Sequence, residues 1–387
     1  MVETLDLSHI PVVDQHCHPW RRPTTSLSAD EYRMLFTEGG ELDVGPGVPG
    51  TVYYRWTLRE LAGLLGCAAR EPEVLDARAA LGHDAFAARL MAAANIQAAV
   101  LDFKYAGRGA ENFTVEEMSA QLGGAVTIGA LRLETVLEEL VLESSDAGEV
   151  EERFRARLNR ETLRAENVAS LKSIIAYRTG LAIEPVKRET AYGAFGTLKA
   201  EATSAGRVRI ADKAFLDYFL LIALEWCATE RFPIQFHTGF GDTDVSLLTG
   251  NPLQLRTVFQ DGRFRNVPLV LLHAGYPFVR ELSYLASVYP NVYLDLGLAI
   301  PFVATEFETI VRQALALAPS SRVLYSSDGF TIPEHFWFAA VHGRRALGTV
   351  LGELIDWNMI GREDAAEMAE QILRSNARRL YGLEPTA

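Results

Sequence analysis

Four histidines and an aspartate stand where short apolar runs of this sequence end. Their side chains are metal donors. His16 and His18 close the run Ile10–His18. His237 lies in IQFHTGFG, His273 in LVLLHAGY and Asp328 in LYSSDGF, each just before a glycine. Along a strand the side chains alternate, so His16 and His18 face one side and Cys17 the other. There Cys17 acts as a small apolar residue between strand and helices. An H-x-H pair alone is as well explained by two hydrogen-bonded residues at a strand end. A buried imidazole or carboxylate needs a partner, however, and one ion satisfies several at once. Nitrogen and carboxylate donors suit Zn²⁺, with Mn²⁺, Fe²⁺ or Ni²⁺ as alternatives. Lys172 sits in another apolar run, where an unpaired ammonium is costly.

These residues need elements that bring them together. Eight apolar, β-branched runs recur: Ile10–His18, Ala98–Phe103, Ala125–Glu134, Ala169–Tyr177, Pro233–Gly239, Pro268–Gly275, Val292–Gly297 and Arg322–Gly329. Near-continuous apolar strands suit a parallel sheet covered on both faces. The stretches between them carry apolar residues at helical spacing, as in 216–232, 251–261, 278–289 and 307–318. Alternation of this kind argues for βαβ units and, with eight strands, for an α/β fold of the (β/α)8 TIM-barrel type. An open doubly wound sheet is the competing arrangement, but no Gly-rich dinucleotide loop follows strand one. Enzymes on the barrel fold place their chemistry at the strands' C-terminal ends, where the five donors fall. The whole of 1–387 reads as one domain. Residues 19–97, with the Pro/Gly-rich stretch Gly39–Gly50 and the helical ALGHDAFAARLMAAAN, read as a helical insertion over the barrel mouth. Residues 135–168 read as a second small lid, and Ile332–Leu383 as a helical C-terminal cap.

The composition excludes several classes. Of 387 residues 49% are hydrophobic and 22% charged, an ordinary globular mixture, and the formal net charge is -13. Acidity on this scale disfavours nucleic acid and anionic membranes as partners. A small anionic substrate stays compatible, because local cations decide the field in a cleft. Three scattered cysteines make no disulfide framework. The first ten residues lack a basic start and an apolar core, and no apolar run reaches the roughly 18–20 residues that span a bilayer. The expectation is a cytoplasmic protein with a small-molecule substrate, no nucleic-acid or membrane partner, and possible assembly into a homo-oligomer.

The strand-one H-x-H, the histidines of strands five and six and the strand-eight aspartate resemble the amidohydrolase superfamily, in its amidohydrolase-related (family 2) branch. The segments LKSIIAYRTGL, FHTGFGDTD, NPLQLR, LLHAGYPFVRELSYLASVYPNVYLDLGLAIP and LYSSDGFTIPEHFW are most similar to the amidohydrolase-like domain fused to glutamine synthetase in fungal FluG and plant nodulin-like proteins. ALRLE and AAVLDF add to this. No glutamine synthetase part is expected in these 387 residues, so the link to glutamate chemistry rests on the resemblance alone.

The resemblance implies that His16, His18, His237 and Asp328 bind a divalent metal, Zn²⁺ by preference. Asp328 would serve as general base and acid toward a metal-activated hydroxide, and His273 would ligate a second ion or polarise the substrate carbonyl. Lys172 would be carboxylated and bridge two ions, or else pair with Asp328 or another carboxylate, or bind substrate directly. Arg178, with Tyr177 beside it, is a candidate for a substrate carboxylate. Arg132 is a second candidate, and a salt bridge explains either equally well. Asp242 and Asp244 follow strand five and are candidates for a substrate ammonium, or for a solvated turn. Asp14 shares the face of His16 by the two-residue period and is expected to support it. His335 and His342 show no spacing that separates function from packing. The leading expectation is hydrolysis of an amide C–N bond in a small carboxylate-bearing substrate such as a γ-glutamyl amide. The alternatives are non-oxidative decarboxylation and a catalytically silent binding protein.

Overall fold

The computed structural model describes residues 4–22, 27–40, 43–103 and 111–383. Eight parallel strands follow one another in chain order around the sheet. Strands one to four are Val12–Cys17, Ile96–Asp102, Val126–Arg132 and Val168–Ser173. Strands five to eight are Ile234–Phe236, Leu269–Leu271, Val292–Asp295 and Val323–Leu324. Strand eight returns to strand one through backbone bonds from Gln15 N to Tyr325 O, Asp328 N to His16 O and His18 N to Gly329 O, at 3.3, 3.0 and 2.7 Å. The barrel expected from the eight runs is therefore present. Most strands stop before their apolar run does, because the final residues turn out of the sheet to build the mouth. In strand six, for example, His273–Gly275 forms a 3-10 turn beyond Leu271.

Two apolar cores hold the barrel. Val13, Val100, Ile128, Val270, Leu272 and Leu324 fill its inside, and a larger shell lies between strands and helices. The helix Lys213–Glu230 shows the local logic. Asp212 caps its first turn by accepting from Phe215 N, Arg231 ends it in a left-handed conformation, and Leu216, Phe219, Leu220 and Ala223 are buried.

The insertion between strands one and two carries helices Ala29–Met34, Val52–Leu65, Glu71–Leu81 and His83–Ala94. Its aromatic residues meet elements at the ends of strands seven and eight: Tyr53 contacts Phe302 and Phe338, and Phe36 contacts His335. Residues 135–168 contribute helices along the barrel's flank, where Phe154 meets Phe219 edge-on. The C-terminal region begins with the long helix Pro333–Asp356 and ends with Asn376–Tyr381. That last helix closes the end of the barrel where the strands start. Asn376 binds the carbonyls of Ser320 and Val323, Arg378 binds Gln97, and Ala377 and Tyr381 join the inner core. Among the described residues no helix is long and apolar enough to cross a membrane.

Candidate metal centre

Strand one does not run regularly into the site. Asp14 lies opposite Ala99 and Cys17 opposite Leu101, so Gln15 and His16 together face one residue of strand two. This bulge re-aims the chain. Gln15 reaches inward to Asp295 and His16 to Gln235, while Cys17 packs outward toward Val100 O. Asp14 therefore does not share the face of His16. It accepts from the backbone N and the hydroxyl of Ser327, and so steadies the turn that presents Asp328.

The expected donors converge at the mouth. Asp328 Oδ1 lies 3.1 Å from His16 Nε2 and 3.4 Å from His18 Nε2, and its Oδ2 lies 3.6 Å from His273 Nδ1. One donor atom each from His16, His273 and Asp328 falls within 4.8 Å of the others, a spacing that could hold an ion. The His237 ring centre is 4.4 Å from that of His273. His237 Nε2, His273 Nδ1 and Asp328 Oδ1 are buried without a hydrogen-bond partner among the described residues. His273 and Asp328 have φ of 67° and 48°, in the left-handed region that non-glycine residues rarely adopt. Strain of this sort persists only where the surroundings fix it, and it gathers at functional sites.

The outer ring nitrogens orient the histidines. His16 Nδ1 lies 2.9 Å from Gln235 Oε1, and His18 Nδ1 lies 3.3 Å from the Asp102 carbonyl. Both partners only accept, so Nδ1 carries the proton and each Nε2 offers a lone pair to the centre. Burial, followed by the Lys172 charge, pushes His16 down to about 4. Burial foremost also holds His237 and His273 well below the usual imidazole range. Burial works against ionised Asp328, but His273 and the close approach of His16 and His18 outweigh it and hold the carboxyl well below its usual range. The result is neutral imidazoles around a carboxylate, the protonation state that binds a cation.

Lys172 Nζ lies 3.2 Å from His16 Nε2. Burial lowers its pKa to about 8 against the opposing pull of Asp102 and Asp328. Tyr177 packs at a tilt against His237 with ring centres 4.3 Å apart, and its hydroxyl lies 3.4 Å from Asp242 N. Tyr177 and Asp242 thus reach the site. Arg178 turns to Glu138, with Nη2 3.0 Å from Oε1, although its Nε is buried without a partner. Arg132 clamps Asp102, and Asp244 pairs with Arg209.

Several site residues escaped the sequence reading. Asp295 ends strand seven and accepts from His273 N and Gly297 N, both at 3.0 Å. The strand-end rule that found Asp328 would have found it. Glu38, from the insertion, neighbours Asp242 and Asp328. Burial and then those two charges push its carboxyl well above the usual range. Nothing in its local sequence signals this. Gln15 and Gln235 are ordinary strand residues in sequence and acquire a role only through the barrel.

Comparison with known proteins follows the same lines. Residues 211–383 match the family model described as amidohydrolase. The protein FluG of Emericella nidulans is 39% identical over 226 residues, 56% of this chain, and the chain spans about a quarter (26%) of that relative's length. A protein from Lactobacillus casei, proposed to be a metal-dependent hydrolase, superposes with a TM-score of 0.88 at 26% identity, covering 98% of each chain. A uronate isomerase of Thermotoga maritima shares the fold, with a TM-score of 0.63 at 12% identity over 97% of this chain and 95% of its own.

Proposed function

We propose that this amidohydrolase-related enzyme uses a divalent ion to hydrolyse the C–N bond of a small amide. The observation that carries the reading is the group of buried, unpartnered donor atoms on His237, His273 and Asp328 at one end of the barrel. Such atoms are costly unless something satisfies them. The residues fit a cation: His16, His18, His237 and Asp328 would hold it, Zn²⁺ by preference, with His273 beside them. When bound, such an ion acts as a Lewis acid and brings the pKa of water toward about 7.

The chain's own groups account for the rest. Asp328, held ionised, takes a proton from the attacking water and returns it to the leaving nitrogen. His273, where it does not ligate, donates to the carbonyl oxygen as charge develops there. Tyr177 and Asp242 wall the site beside His237. The substrate proposed is a carboxylate-bearing amide of the γ-glutamyl type. Asp242 and Glu38 are neighbouring buried carboxyls that a substrate ammonium would draw into their ionised form, and Arg178, whose Nη2 is held by Glu138, keeps a buried, unpartnered Nε for the substrate's carboxylate. Lys172 Nζ already lies 3.2 Å from His16 Nε2, within the field of Asp102, Asp328 and Asp295. A second ion would require its carboxylation, and the lowered pKa leaves more of the amine uncharged for that reaction.

Two measurements test this reading. The first is metal content of protein purified without added metal or chelator. About one ion per chain supports the site with a free Lys172, and about two support the carboxylated form. None, with none taken up on incubation, overturns the metal reading. The second is turnover of γ-glutamyl, N-acyl and neutral amides by the loaded protein. Release of CO₂ from carboxylic acids, with no amide cleaved, would move the assignment to decarboxylation.

A further inference from the structure

A chain of hydrogen bonds runs from the centre to the far end of the barrel. Tyr381, on the C-terminal helix, donates from its hydroxyl to Gln15 Oε1 at 2.6 Å. Gln15 Nε2 donates to Asp295 Oδ1 at 2.8 Å. Gln235 Nε2 donates to the Gln15 carbonyl at 2.8 Å and to the Tyr381 hydroxyl oxygen at 3.0 Å, with Gln15 Oε1 at 3.3 Å. Gln235 Oε1 then faces His16 Nδ1. Gln15 and Gln235 are wholly buried, so no water competes for these bonds.

The donors and acceptors permit one assignment. The Asp295 carboxylate only accepts, so the Gln15 amide must turn its nitrogen there and its oxygen toward Tyr381. The Gln15 carbonyl only accepts, so Gln235 must point its nitrogen at it and its oxygen at His16. A flipped Gln235 would set two oxygens 2.8 Å apart. His16 Nδ1 must therefore carry the proton, and Nε2 is left as a ligand.

We propose that Tyr381 is a positioning residue for the metal. Its hydroxyl takes a second Gln235 N–H and, together with the Gln15 carbonyl, holds the Gln235 oxygen on His16 Nδ1 in the tautomer that ligates, so the C-terminal helix tunes the centre from the opposite end of the barrel. This rests on the metal reading above. Partners of this kind typically shift metal affinity 10- to 100-fold.

The test compares wild type, Tyr381→Phe and Gln235→Leu. Zn²⁺ affinity is measured by competition with a chromophoric chelator. The His16 tautomer is read in the metal-free protein from long-range ¹H–¹⁵N spectra, the resonance being assigned with His16→Gln. Tyr381→Phe keeps the ring and removes one hydroxyl. It is expected to weaken Zn²⁺ roughly 10-fold and Gln235→Leu up to about 100-fold, with His16 moving from one tautomer to a mixture. Unchanged affinity and tautomer in Tyr381→Phe overturn the inference, even if its melting temperature falls, because that pattern marks packing alone. If Gln235→Leu does not fold, Tyr381→Phe decides. If wild type binds no Zn²⁺, the metal reading fails, and the tautomer of metal-free Tyr381→Phe still decides whether Tyr381 positions His16.

Discussion

Replacing Asp328 with Asn separates its charge from its shape. The backbone there is left-handed, with φ of 48°, a conformation asparagine accepts at least as readily as aspartate. The bond from its backbone N to His16 O involves no side chain and survives. What is lost is a carboxylate within 3.1–3.6 Å of three imidazoles. General acid–base groups contribute about 10²–10⁴ in rate, so kcat/KM should fall by that factor, about 3–5 kcal/mol at the transition state. Losing an anionic donor should also weaken the ion at least 100-fold, about 2.7 kcal/mol. The metal-free variant should not suffer comparably. Asn avoids burying a charge, which offsets the lost imidazole contacts, and the net should stay within about 1–2 kcal/mol. The assay is metal affinity and kcat/KM on the best amide, alongside thermal melts of chelator-stripped protein. A variant with full metal occupancy and turnover within tenfold of wild type would refute the role given to this carboxylate.

Gly241→Ala should damage the site without replacing a donor. A Cβ there would lie 2.0 Å from the Tyr177 hydroxyl and 2.9 Å from His237 Nε2. The expected loss is at least tenfold in metal affinity, measured by chelator competition, with the melt of the stripped protein little changed. Arg132→Met strands the buried Asp102 carboxylate that it clamps. About 3–5 kcal/mol of stability should go, read from denaturant midpoints. His342 is buried between Trp56 and Phe338 with neither ring nitrogen partnered among the described residues, and burial first, then Arg345, pushes it down to about 4. Its folded pKa lies below the unfolded value of 6.5, so wild-type stability is full above pH 6.5 and falls as the pH drops toward 4, by about 3 kcal/mol from this residue. His342→Leu should remove that part of the acid slope, and identical acid melts for the two proteins would contradict the assignment.

Much of this was legible from the amino acids alone. Period-2 patterning is a local property, and a parallel barrel buries both faces of its strands. The eight apolar runs therefore announced the sheet, and the histidines and aspartate near the ends of four of them announced the mouth. His16, His18, His237, His273 and Asp328 could be named because a titratable group at the end of an apolar strand has few other reasons to be there. Tertiary structure alone decided the rest. The bulge at Gln15–His16 depends on how strand one pairs with strand two, so strict alternation misplaced Asp14. Sequence left Arg178 open to a salt bridge or to a substrate carboxylate, and only the fold set Glu138 beside its Nη2. Glu38 approaches Asp328 from an insertion almost three hundred residues earlier in the chain. Tyr381 and Gln235 act on His16 only because the last helix enters the barrel from below. Local pattern fixes which side chains are buried, but hydrogen-bond partners distant in the chain are chosen by closure of the barrel, and that choice leaves no trace in any short stretch of sequence.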